Sequence, residues 1–209
     1  RGGEQGMIEK LDFSKLPNVK DMPAEYKSPY SVAYEFYSSV LAYNKDKFGD
    51  NAPKTWVDFW DVKKFPGTRA LRNHPLATLE AALIADGVPM DKLYPLDVDR
   101  AFKKLEEIKP FVTVWWTSGA QSAQLLADGE VDMTMAWNGR VSAVVKEGLP
   151  IGYTFSQGFL QYTSLCILKG APKLETGVKF INAALDPEIQ ANFPAYIDYG
   201  PANPAAYKT

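Results

Sequence analysis

The chain has 209 residues, 46% of them apolar and 23% charged, close to the average for globular proteins, which excludes collagen-like, low-complexity and disordered readings. Its 23 Lys and Arg stand against 25 Asp and Glu, a net charge of -2 with no basic block to track a phosphate backbone, so no nucleic-acid partner is expected. No apolar run approaches the roughly 20 residues of a bilayer span, and RGGEQGM lacks the apolar stretch of a signal peptide, so direct membrane insertion is not expected.

The opening EQGMIEKLDF reads as the middle of a domain, and the chain is expected to be a piece of a longer protein. Residues 6–30 are short apolar pieces broken by Pro17, Pro23 and Pro29 and predict loop. VAYEFYSSVLAYN (32–44) is rich in Val, Tyr and Phe and predicts two strands meeting near Tyr37 to Ser39. The polar stretch from Gly49 to Lys54 offers a boundary. After it, TWVDFW predicts a short helix capped by Thr55, with Asp58 three residues on.

From here strands and helices alternate. GTRALR (67–72) predicts a strand, followed by a helix that opens at Asn73 and Pro75, carries Leu76, Leu79 and Leu83 on one face and ends at Gly87. A second helix starts near Asp97, with Val98, Phe102 and Leu105 on its apolar stripe. FVTVWW (111–116) is a strand, TSG a turn and AQSAQLLADG a helix. Val131, Met133, Met135 and Trp137 then alternate at period two, before a helix with Val141, Val144 and Val145 on one face. IGYTF (151–155) and FLQYTSLCIL (159–168) predict the last strands. A helix from Leu174 buries Val178, Ile181 and Leu185, and a short one covers 187–193. The alternation between about 53 and 157 predicts an α/β layer on a largely parallel sheet. The single Cys166 is expected to pack as a small hydrophobe.

Enzyme chemistry has little to build on. His74 is the only histidine, and no GxSxG, P-loop or GxGxxG pattern occurs. No catalytic residue, metal ligand or cofactor is therefore expected. Three strand ends instead lead into polar helix starts: Asn73 and His74, Thr117 and Ser118, and the corner Trp137, Asn138, Gly139 and Arg140. RNHP also reads as a plain helix entry. In open α/β sheets, ligands sit outside the carboxyl ends of the strands, and helix starts offer free N–H groups to negative groups. Tyr37, Trp116, Trp137 and Tyr162 fall near strand ends, where aromatics wall small-molecule pockets, whereas Trp56, Trp60 and Trp115 are expected in the core.

In order along the chain, TWVDFWD, FPGTRALRN, LADGEVDMTMAWNGR and YTSLCILKGAPKLETGVKFINAALDPEIQANF, preceded by YSSVLAYNKDKF, resemble the extracellular solute-binding proteins of spermidine/putrescine-type ABC importers. The resemblance implies a type II periplasmic-binding-protein-like α/β fold of two lobes joined by hinge strands. Residues 1–48 and 158–209 would belong to an incomplete first lobe and 53–157 to the second. It further implies a non-catalytic periplasmic protein that captures a small-molecule solute in an interlobe cleft and delivers it to an ABC permease in the membrane. Taken with the polar strand ends, the expected ligand shell is Tyr37, Ser38, Asn73, His74, Thr117, Ser118, Trp137, Arg140, Tyr162 and Thr163.

The match has departures. Positions that are acidic in polyamine binders correspond to Asn73-His74 and Thr163, a pocket tryptophan corresponds to Gln161, and Arg140 follows the WNG corner. A dication facing Arg140 without compensating acids meets repulsion, whereas a carboxylate gains a charge-assisted hydrogen bond. The expected solute is a small carboxylate-bearing or amino-acid-like compound. The alternatives are a polyamine, with its acids elsewhere, or an enzyme or ligand-sensing domain on the same fold.

Overall fold

The computed structural model describes residues 2–208. Its strands are β1 Lys27–Ser28, β2 Ser31–Asn44, β3 Arg69–Arg72, β4 Val112–Trp116, β5 Met133–Trp137, β6 Ile151–Leu165 and β7 Gly200–Pro201. Its α-helices are α1 Lys45–Phe48, α2 Trp56–Trp60, α3 Pro75–Ala85, α4 Val98–Ile108, α5 Gly119–Ala127, α6 Asn138–Lys146, α7 Leu174–Ala184 and α8 Pro187–Ala191. The stretch expected as loop between residues 6 and 30 holds three single 3-10 turns and β1.

Two long strands replace two expected pairs. β2 runs unbroken through Tyr37 to Ser39, because that segment contains no Gly or Pro to turn it. β6 passes Gln157 in a left-handed conformation (φ 58) and continues to Leu165. The chain divides into two compact units, Ser38–Leu160 on one side and Arg1–Tyr37 with Gln161–Thr209 on the other. Residues 38–48, expected with the first lobe, fold with the second unit, since Ser39 to Tyr43 pair antiparallel with β5.

In the unit Ser38–Leu160 the sheet order is β2-β5-β3-β4, with β3 parallel to both β4 and β5. α2 starts with the expected capping box: Thr55 accepts from the Asp58 N–H, and Asp58 accepts from the Thr55 N–H. Arg69 is wholly buried, its guanidinium donating to the carbonyls of Phe59 (2.8 Å), Gly67 (2.6 Å) and Phe65, which fastens α2 and the loop after it to the start of β3. Burial pushes its pKa down, partly opposed by Asp132 and Asp61.

α3 is buried from Ala77 to Ile84, yet Leu76, expected on its inner face, is 44% exposed. The cause is a kink: Leu76 is extended (ψ 130) and Ala77 left-handed (φ 69), so Leu76 stands before the continuous helix. In α4 the buried stripe is Ala101, Leu105 and Ile108, and Val98 and Phe102 are exposed. Both stripes obey helical spacing and share Leu105; the core takes the one rotated about a residue away. Trp56 is fully buried, and Trp60 and Trp115 pack against the same core, as expected.

In the other unit Leu16, Val19, Val32, Ala33, Ile181 and Leu185 form a separate core, with Val178 of α7 against it. Buried Gln190 and Asn203 stitch its distant segments together: Asn203 donates to the carbonyls of Asn18 (2.9 Å) and Leu185 (2.8 Å) and from its backbone to Gln190 Oε1 (2.9 Å). Cys166 is exposed, contrary to its expected packing, because Ile167 takes the inward position beside it. Among the described residues no helix is long and apolar enough to cross a membrane.

Candidate functional site

Three parallel strands end side by side in the unit Ser38–Leu160, and each ends on a large side chain: Arg72 on β3, Trp116 on β4 and Trp137 on β5. Arg72 is registered opposite Trp116, and the next N–H, that of Asn73, donates to the Trp116 carbonyl at 2.8 Å. The two indoles meet edge to face, with centroids 5.9 Å apart. The Arg72 guanidinium lies against both rings, 5.8 Å from the Trp116 centroid and 5.3 Å from that of Trp137.

Each indole is held. Trp116 is fully buried and donates from Nε1 to the Met135 carbonyl at 3.0 Å. Trp137 lies over Gly119, where a Cβ would stand 2.2 Å from its Cε3. The cation between them is incompletely satisfied: Arg72 Nη1 is buried and has no hydrogen-bond partner. Ser39 stands directly opposite Trp137 in the β2–β5 register, so the two side chains share a face of the sheet. Its hydroxyl is also buried without a partner. A buried guanidinium N–H resting against two indole rings is a combination suited to an anionic group carried on an apolar stem.

The polar residues singled out from sequence surround this edge in part. Asn73 and His74 are exposed after β3, with His74 capping α3 by accepting from the Leu76 N–H (3.1 Å). Thr117 and Ser118 are exposed after β4; Ser118 caps α5, and the Thr117 N–H donates to Gln121 Oε1 at 3.1 Å. Asn138 is buried and accepts from the Ser38 N–H at 2.8 Å, pinning β2 to the start of α6. Arg140 is exposed on the first turn of α6. A cavity of about 270 Å³ opens where Arg72, Asn73, His74, Phe102 and Trp115 meet.

Tyr37, Tyr162 and Thr163 belong to the other unit. Tyr37 packs on Tyr199 (5.5 Å), Tyr162 lies edge-on to Tyr26 (5.7 Å), and the Thr163 hydroxyl donates to Glu35 Oε1 at 3.1 Å. Sequence reasoning passed over Arg72 and Ser39. The available signal was a cation closing an otherwise apolar strand one residue before a helix entry. Among the described residues no group of three His, Cys, Asp or Glu side chains is placed to hold a metal ion.

Known proteins carry the same chain pattern. A crystal structure of an ABC transporter substrate-binding protein from Bradyrhizobium japonicum USDA 110 is 75% identical, with a TM-score of 0.95, over 100% of this chain and 65% of that one. The gamma-aminobutyric acid-binding protein of Pseudomonas aeruginosa is 38% identical over 97% of this chain and 58% of its own length. The spermidine/putrescine-binding periplasmic protein of Escherichia coli K12 is 26% identical over 98% of this chain and 61% of its own. The chain thus spans less than two thirds of the length of each relative. The α/β fold expected from sequence is the fold of these binding proteins. All of residues 1–209 match the family described as bacterial extracellular solute-binding protein, and the chain belongs to that family.

Proposed function

We propose that this protein is the periplasmic solute-binding component of an ABC importer, that binding and not catalysis is its activity, and that its solute is a small carboxylate-bearing, amino-acid-like compound passed on to a membrane permease. The observation that carries the reading is the buried, unpartnered Nη1 of Arg72 between two indoles. A guanidinium N–H withdrawn from water costs free energy until an acceptor meets it, and a carboxylate is the acceptor that matches both its charge and its fork. Trp137 then walls the solute's hydrocarbon stem. Thr117, Ser118, Asn73 and His74 supply further polar contacts from the neighbouring strand ends.

Two considerations favour an acid over a polyamine. An ammonium group brought to Arg72 meets like charge in a desolvated setting. The relative named for gamma-aminobutyric acid is 38% identical, against 26% for the spermidine/putrescine relative. The direct carboxylate contact is assigned to Arg72 before Arg140, because exposed Arg140 keeps its hydration and gains less from an anion.

Titration calorimetry on the purified protein with γ-aminobutyrate and other small amino acids tests the assignment. Arg72→Gln is expected to weaken binding by about 10- to 100-fold, the worth of one charge-assisted hydrogen bond, with Arg140→Ala changing it by less. Unaltered affinity in Arg72→Gln, with loss in Arg140→Ala, would transfer the role to Arg140.

A further inference from the structure

α4 leaves one large aromatic side chain out of the core: Ala101, Leu105 and Ile108 are buried, whereas the Phe102 ring is 55% exposed. Phe102 borders the cavity of about 270 Å³ within the unit Ser38–Leu160, and Leu79 of α3, Leu105 of α4 and Trp115 of β4 complete its apolar wall. Successive side chains of a strand point to opposite faces, so Trp115 turns away from Trp116 and the indole pair. The polar groups come from one side, the consecutive residues Arg72, Asn73 and His74. His74 accepts the Leu76 N–H at Nδ1, which leaves Nε2 as the N–H donor of the neutral ring.

Apolar walls with a few polar groups on one side are the composition of a small-molecule site. A cavity of about 150 Å³ lined by Leu, Ile and Phe already binds benzene, so this one has room for a phenyl group. Leu79, Leu105 and Phe102 offer water no hydrogen bond, which makes water a poor occupant. The backbone beside the cavity is strained: Ala77 holds φ 69, which a β-carbon disfavours, and Pro75 and Thr78 on either side of that kink both line the cavity. Strain of this kind gathers at ligand sites. Arg72 belongs to both places, since its guanidinium rests on the two indoles and it also forms part of the cavity wall. We infer that the cavity is a specificity pocket, and that the solute is an amino-acid-like acid with an apolar branch of phenyl size: its carboxylate meets Arg72 and its branch lies between Phe102 and Trp115. The inference deepens the proposed function and rests on it for the carboxylate.

Calorimetry on the purified protein with matched pairs tests this: γ-aminobutyrate against 4-amino-3-phenylbutyrate, and alanine against phenylalanine. The wild type is expected to bind the phenyl member of at least one pair about tenfold or more tighter than its parent, as burial of an aromatic ring implies. Phe102→Ala, a change at an exposed position, should erase most of that ratio and leave the parent acid almost unchanged. Leu105→Phe, which fills part of the cavity, should do the same. A ratio near one in both pairs, or a ratio that survives both variants, would overturn the inference. Self-association that Phe102→Ala abolishes, without any phenyl preference, would overturn it too and give the cavity to a second copy of the chain. Arg72→Gln keeps the two readings apart, since it should weaken both members of a pair alike and leave their ratio. Neutral 3-phenylpropanamide separates their failures: if it binds, is lost in Phe102→Ala and no acid binds, the pocket stands and the carboxylate reading falls. If neither it nor any acid binds, both fall.

Discussion

Trp137 keeps its seat because residue 119 has no side chain. A Cβ at Gly119 would stand 2.2 Å from Cε3 and 2.4 Å from Cζ3 of the indole, and the ring cannot yield without leaving its edge-to-face contact with Trp116 and its place under Arg72. Gly119→Ala is therefore expected to destabilise the protein by about 1–3 kcal/mol through overpacking. It should weaken solute binding along with stability, as read by denaturant unfolding and calorimetry. Wild-type affinity in this variant would show that the position of the Trp137 ring is irrelevant to the solute. Arg72 depends on the same arrangement, since its guanidinium rests on both rings.

At the scale of elements, one carboxylate joins three of them. Asp132, just before β5, accepts from Lys47 Nζ of α1 (2.7 Å) and from the N–H (2.7 Å) and hydroxyl (3.0 Å) of Thr68, which precedes β3. Gly67 beside it has φ +139, and a Cβ there would fall 2.3 Å from Asp132 Oδ2. Burial pushes the Asp132 pKa up, but the hydrogen bonds from Lys47 and Thr68 together outweigh it, so the carboxyl titrates below the usual range. A depressed carboxyl pKa contributes stability that is full above its unfolded value, near pH 3.9, and is lost as pH falls through the folded value. Asp132→Asn should thus be less stable than wild type at pH 7, with the gap closing below about pH 4. A gap that stays constant down to pH 2 would show that the charge of Asp132 contributes nothing.

Elements specified by neighbours in sequence were legible. The Thr55–Asp58 capping box, the helix start at Thr117 and Ser118 and the strand Met133–Trp137 need only local spacing. The continuity of β2 and β6 was not, because the lack of Gly or Pro at 37–39 only permits β2 to run on, and what holds strands of 14 and 15 residues together is pairing with other strands, β2 with β5, β6 and β7 among them. The buried face of α4 was misjudged for a related reason: two apolar stripes fit its sequence, and only the neighbouring packing selects Ala101, Leu105 and Ile108. Arg72 escaped because a cation in RALR looks like an ordinary strand end until two indoles from other strands are seen around it.

At the scale of the molecule, each unit has its own core, one around Leu41, Phe59, Leu83 and Met135 and the other around Leu16, Val32, Ile181 and Leu185. The strand-end site is built wholly within Ser38–Leu160, from three parallel strands and the register of β2. On the proposed reading, this strand-end edge is the capture site, and the buried Nη1 of Arg72 sets the sign of what is captured. The most direct measurement is a thermal-shift panel on the purified protein that compares small amino acids and carboxylates with putrescine and spermidine. A solute at about 100 times its dissociation constant adds about 2.7 kcal/mol of stability, a shift of several degrees. The account predicts a shift with amino-acid-like acids that Arg72→Gln abolishes; a shift with polyamines alone, unaffected by Arg72→Gln, would contradict it.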